Sequence, residues 1–371
     1  MGDEQVNVVS VWESVAEAAH ERVSAWESVS TAGGDGQHTP RGGLLGELAT
    51  SPESLDFTRR LVDSLFGTSD AFTAAVGLRG VSRGELPESM PTRDRLLLRA
   101  GGVASLGLPW VVRPAARKNL LGRLPDVLLQ LKLAGRMTAL TEAIRAHRER
   151  RNSVLVALHG AQVFGESGGK REVERLLTLA AHPAVRELAF DPARLVPGAD
   201  EWSIEADLTL AIERSRPILE AALEHGVRLV IEPRDTIWAK RLTEFLTRAF
   251  GCSELDRLEV GVRLFAELPD SWETYAAIHR FARRRVADGG APVDVVIGLG
   301  DVAAAERVAS IQSGLPVAVI EDTTERTAQL LRLIEVALQP SRASVLRPVI
   351  ATEDPLVAAA TVAAATSGSS V

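Results

Sequence analysis

The chain of 371 residues is short of the residue types on which much enzyme chemistry depends. It holds one cysteine, Cys252, so neither an intrachain disulfide nor a CxxC metal knuckle is available, and a reducing, cytoplasmic setting is the expectation. Lysine occurs only at Lys118, Lys132, Lys170 and Lys240, tyrosine only at Tyr275, and asparagine only at Asn7, Asn119 and Asn152. A mechanism that needs one of these in a pocket has very few candidates. Positive charge is also in deficit: 42 Lys and Arg against 49 Asp and Glu leave a net charge of -7, which argues against the basic footprint of a nucleic-acid-binding protein. No long apolar run is present either. The most apolar stretch, "LLLRAGGVASLGLPWVV" (96–112), is interrupted by Arg99 and too short to span a bilayer, and the acidic start "MGDEQVNVVSVWESV" lacks the basic and apolar regions of a secretory signal.

What is there falls into segments. A near-repeat, "SVWESV" (10–15) and "SAWESV" (24–29), is offset by two heptads, so Val9, Ala16 and Val23 share a line with Trp12, Ala19 and Trp26 beside them. Residues 1–30 are therefore an amphipathic arm that packs on its own domain or, through Trp12 and Trp26, docks a partner or a second copy. The Gly- and Pro-rich stretch 31–50 reads as a flexible linker, and 51–150 as a helical domain opened by Pro52 at a first helical position.

From 151 to 366 the pattern alternates short β-rich runs with amphipathic helices, followed by a tail, 367–371. The expected strands are "SVLVALHG", "VRELAF", "VRLVIE", "RLEVGVRLFAE", "VDVVIG", "PVAVIE" and "VLRPVIAT". Seven such β/α units predict an α/β fold with parallel strands, either a doubly wound sheet or an incomplete (β/α)8 TIM-type barrel. Even unit lengths and polar residues at successive strand ends favour the barrel. Those residues are His159, Asp191, Glu232, Glu267, Glu321 and Glu353. Within this region Gly298-Leu299-Gly300-Asp301-Val302-Ala303 matches G-x-G-x-x-A, with Glu321 and Asp322 near where a ribose-binding acid is expected. Its other reading is a tight turn with Asp301 capping the next helix.

The segments "SPESLDFTRRLVDSLF", "LHGAQVFGES", "VIEPRDTIWAKRLTEFL", "LDRLEVGVRLFAELPDSWE" and "FARRRVADGGAPVDVVIGLG" resemble, in order, the proline dehydrogenase domain of bacterial PutA-type proteins. The resemblance implies a (β/α)8 barrel that uses FAD to oxidise proline, and it implies where the functional residues fall. The family's second-strand lysine falls on Asp191. The third-strand aspartate falls on Leu229 and its tyrosine on Pro233, while Glu232, Arg234 and Asp235 are kept. The flavin-contacting glutamine and the tyrosine of the fourth strand fall on Phe265 and Glu267, and the flavin-binding cations of the fifth on Val296 and Leu299. Glu353 stands within the seventh-strand motif, and the eighth strand and carboxylate-clamping helix are expected to be missing. A pyrophosphate needs donors and cations, and these substitutions are apolar or acidic.

Three functions follow. One is a proline-dehydrogenase-like barrel without FAD that binds, regulates or assembles, with a partner or second copy on the N-terminal helix and the open barrel edge. Another is an active FAD-dependent proline dehydrogenase, forming 1-pyrroline-5-carboxylate, completed by a partner chain. The last is a metal-dependent enzyme built on the acidic strand ends. No metal is assigned, because such carboxylates also cap helices or pair with arginines. The candidate pocket is His159, Asp191, Glu232, Arg234, Glu267, Glu321 and Glu353.

Overall fold

The structure, a computed structural model, describes residues 8–32, 52–66, 70–87, 90, 92–123, 138–158, 165–196, 203–233, 235–251, 253–300 and 302–367. Of the residues singled out above, Cys252, His159, Arg234, Asp301 and the side chain of Trp12 lie outside them, as do most of the linker and the end of the tail. The chain divides into two compact units, residues 34–164 and residues 1–33 together with 165–371.

The first of these is helical, with α2 (Pro52–Phe66), α3 (Ala71–Arg83), α4 (Thr92–Ala104), α5 (Pro109–Arg123) and α6 (Thr138–Glu149) ahead of a short strand, β1 (Leu155–Ala157). Asp70 caps α3 by accepting from the Thr73 amide at 2.5 Å. The helices approach closely through small residues: a Cβ on Gly102 of α4 would collide with Ser82 of α3. Ser105 Oγ fastens the same crossing by donating to the Ala75 carbonyl at 3.1 Å. Leu65 and Leu78 form one buried cluster and Phe57, Val81 and Met90 another.

The second unit alternates strands and helices as the sequence predicts. Its elements are α1 (Val8–Ala32), α7 (Glu166–Ala180), β2 (Glu187–Phe190), α8 (Ile204–His225), β3 (Arg228–Ile231), α9 (Thr236–Ala249), β4 (Val260–Phe265), α10 (Ser271–Ala287), β5 (Val293–Gly298), α11 (Val302–Ser313), α12 (Thr323–Ala337), α13 (Pro340–Ala343), β6 (Leu346–Ala351) and α14 (Pro355–Ser367). Strands β2 to β6 are parallel and pair in chain order.

One expected strand is not formed. "PVAVIE" (316–321) runs as irregular chain between α11 and α12, so the described residues hold six strands and not seven. The reason lies in hydrogen bonding. Both edges of β5 are occupied, by β4 and by β6, with Val293 in register with both Val260 and Leu346. The segment docks instead across the end of β4, where the Ile320 amide donates to the Glu267 carbonyl at 2.9 Å. Val317 and Val319 then pack with Phe265, Leu268 and Val302.

Strand periodicity sorts the sheet into two faces. Leu188, Leu229, Val260, Val262, Val293 and Ile297 turn to one face and are fully buried, as expected beneath a layer of helices. On the other face the N-terminal ends carry charge. Asp294 pairs with Arg228 and accepts from Arg347 Nε at 2.6 Å, and Arg228 reaches Glu187 at 3.0 Å. Above that layer sit Ala189, Val230 and Val296. Gly261 lies between Val230 and Asp294, each within van der Waals distance of where its Cβ would be.

The amphipathic arm is a helix, α1, and it packs on α14. Val15, Ala19 and Val23, spaced at four residues, meet Ala359, Ala360 and Ala363. Trp26 lies off this seam and is 44% exposed.

Candidate functional site

The C-terminal ends of the strands are where a parallel β/α sheet presents its site, and here the chain places Glu232, Arg263, Glu267 and the Leu299-Gly300 turn. Arg263 shares a strand face with Gly261 and Phe265. Its guanidinium faces Glu232 Oε1 at 3.7 Å, donates from Nη2 to the Leu299 carbonyl at 3.2 Å, and stands 6.0 Å from the Phe265 ring. The Arg263 side chain is 19% exposed, so it is reachable from solvent.

The other expected site residues have structural roles. Glu267 is fully buried, and its Oε2 accepts the Gly300 amide at 2.9 Å, which fastens the turn after β5 to the end of β4. Asp191 caps the short 3-10 turn Pro192–Leu195 by accepting from the Ala193 amide at 3.0 Å. Glu321 is paired with Arg307 on the surface at 2.9 Å, and Asp322 caps α12 through the Glu325 amide at 2.8 Å. Glu353 is exposed. Val296 and Phe265 are buried, and Leu299 is partly exposed. Leu229 is fully buried on the face opposite Arg263, since it alternates with Val230. The strand ends thus bring Glu232 and Leu299 to Arg263, with Glu267 bonded to the adjacent Gly300, whereas Asp191, Glu321 and Glu353 are engaged elsewhere or exposed. Among the described residues no three His, Cys, Asp or Glu side chains converge on one ion-sized point.

Three contributors escaped the sequence reading. Arg263 is a lone charge inside an apolar strand, which was the available signal. Thr236 and Glu306 come from separate helices, and nothing local joins them: Thr236 Oγ1 donates to Glu306 Oε1 at 2.6 Å. Beside them Asp235 caps α9 through the Trp238 amide at 2.8 Å. Burial first, and the Glu306 charge second, push the Asp235 carboxyl above its ordinary 3.8.

A carboxyl with a raised folded-state value favours folding while it is protonated. That contribution is lost as pH rises from 3.8 through the higher folded value, so at neutral pH Asp235 carries a penalty. Asp235→Asn keeps a capping oxygen and removes the charge. It is expected to match the parent's melting temperature in acid and to equal or exceed it at neutral pH. A deficit that widens with rising pH would contradict this origin.

No protein-family model and no curated protein matches the sequence. Solved structures do. Proline utilization A (PutA) from Corynebacterium freiburgense aligns with a TM-score of 0.59 at 24% identity, over 67% of this chain and 26% of that one. The Bdellovibrio bacteriovorus PutA inactivated by N-propargylglycine aligns with a TM-score of 0.67 at 16% identity, over 96% and 36%. A Bradyrhizobium japonicum PutA variant gives 0.63 at 15%, over 96% and 38%. The fold is PutA-like. The α/β architecture with its preceding helices is therefore the one the proline-dehydrogenase resemblance implied, and the chain spans about a third of the length of the PutA proteins it matches.

The cation inventory tests whether a flavin fits a PutA-like fold of this composition. A dinucleotide pyrophosphate requires cations or convergent donors. Among the described residues at the strand ends, Arg263 faces Glu232, Arg307 pairs with Glu321, and the Gly300 amide is taken by Glu267. Val296 and Leu299 offer no charge. These residues do not fit a flavin pyrophosphate.

Proposed function

We propose that this chain is a PutA-like barrel that has lost FAD-dependent proline oxidation and acts as a binding, regulatory or assembly protein. The observation that carries this reading is the state of Arg263: it faces Glu232 and holds the Leu299 carbonyl, in a site whose resemblance-implied flavin cations are Val296 and Leu299. Several charge-assisted contacts, at about 1.5–3 kcal/mol each, are missing, enough to abolish useful flavin affinity. The purified protein is expected to be colourless, to stay colourless after equilibration with FAD and removal of the excess, and to reduce no electron-accepting dye with proline. A yellow protein bleached by proline would overturn the proposal.

Assembly is supported by β6. It ends the strand order and pairs only with β5 among the described residues. An open edge of this kind is a template for another chain, and Arg347 and Pro348 on it are residues that blunt unwanted pairing. The proposed occupant is a second copy or a partner that continues the barrel. Light scattering on the isolated chain separates the two: a dimer supports self-completion, and a monomer at all concentrations requires the partner.

A further inference from the structure

The helical unit carries a surface that none of the preceding chemistry uses. Helix α4 is apolar on two sides. One side is spent on its own core, with Gly102 against Ser82 and Leu98 against the Leu65–Leu78 cluster. The other is turned to solvent: Leu96 is 70% exposed, Leu97 53% and Val103 74%. Leu96, Ala100 and Val103 fall at i, i+4 and i+7, and Leu97 and Ala104 lie beside them, which is the spacing of a helix–helix seam. At the beginning of α5, Trp110, 66% exposed, and Val111 are further apolar side chains open to solvent. Exposed apolar side chains in this density mark an interaction site.

Charge identifies the occupant. Helices α3, α4 and α5 together contain nine Lys and Arg and a single acid, Asp94, in a chain whose net charge is -7. Arg93 lies on the same line as Leu97, Ala100 and Ala104, and Arg99 borders Leu96 and Val103; both are exposed. A guanidinium standing in the apolar line suits a facing carboxylate, which its planar fork can hold by two parallel hydrogen bonds while the apolar residues pack. We infer that this face docks an acidic amphipathic helix of a partner protein, its apolar residues seated on Leu96, Val103 and Trp110 and its carboxylates on Arg93 and Arg99. The inference stands on the helical unit alone and does not depend on the fate of flavin in the barrel.

The test uses the full chain and a labelled synthetic helix with a Leu/Ala seam and Glu flanks, followed by fluorescence anisotropy. Saturable binding that weakens with salt is expected. Leu96→Ser/Val103→Ser and, separately, Arg93→Glu/Arg99→Glu should each weaken it at least about tenfold. Both pairs replace exposed side chains, so the circular dichroism spectrum and melting temperature should stay those of the parent. Absence of binding overturns the inference, as does equal binding of a Lys-flanked helix. Binding to phosphatidylglycerol vesicles in place of the peptide would reassign the face to lipid and overturn it as well.

Discussion

Arg285→Ala is expected to destabilise the barrel unit by about 4 kcal/mol. The residue is 5% exposed, and its guanidinium closes the loop before β4, which holds the short 3-10 turn Ser253–Leu255. Nη2 donates to the carbonyls of Leu255, Asp256 and Leu258 at 2.7, 2.9 and 2.9 Å, and Nε donates to the Ala291 carbonyl at 3.1 Å. The Phe250 ring lies 5.7 Å from Cζ. One residue on α10 therefore holds together the approach to β4 and the approach to β5. Alanine removes the donors and leaves buried carbonyls with the full desolvation cost of an unmade bond. Arg285→Lys restores charge without the planar fork and should recover only part of the loss. The checking measurement is the urea midpoint followed by a probe in the barrel unit. A loss below about 1 kcal/mol would show that water replaces the guanidinium at these carbonyls.

A second large effect is expected at Asp294, on the charged layer at the other end of the strands. Its carboxylate is 3% exposed and bridges Arg228 and Arg347. Removing one partner of a buried ion pair costs about 3–5 kcal/mol, because the remaining charge is left uncompensated. Here the low end applies, since the Arg347 side chain is 44% exposed and Arg228 retains Glu187. Asp294→Ala should cost about 3 kcal/mol, a fall in melting temperature on the order of 10 °C. Asp294→Asn keeps the size and some of the hydrogen bonding and should cost less. Substituting Arg228 and Glu187 together by Leu in the Asp294→Ala background should recover stability, because it removes the partly buried charges that the lost carboxylate leaves short of a partner without stranding either one. No recovery would mean that the loss comes from packing around Gly261 and not from charge.

Much of the fold could be read from the sequence because its signals are local. The β/α alternation follows from strand runs and amphipathic helices of regular spacing, and "RRRVADGGAP" stands out as a motif although its work, the Arg285 clamp, becomes visible only in three dimensions. The segment 316–322 shows the limit of such reading. Its β-branched alternation is that of a strand, yet the edge of β5, where chain order would place it, is already taken by β6. Propensity records what a segment can do locally, while pairing depends on which edges other strands have taken.

The site was less legible for the same reason. Glu267 reads as a strand-end acid, and only its burial against the Gly300 amide identifies it as a clamp. Leu229 stands one residue from the face it was matched to, and a one-residue step moves a side chain through the sheet. Arg263 was visible as a letter but carried no significance until β3, β4 and the turn after β5 were seen to surround it.

The packing of α1 on α14 has a consequence for how the protein is made. On the ribosome α1 emerges well before Ala359, Ala360 and Ala363, which cover Val15 and Ala19. Between them the whole helical unit is synthesised and is free to fold, but the barrel unit is not complete until α14 is released. Contacts this distant in sequence form slowly, because the chain entropy of closing so long a loop is lost before they repay it. Through that interval the apolar seam of α1 is without its cover. A nascent chain halted before α14 would present that seam to chaperones, and the barrel unit would close only when these two distant helices meet.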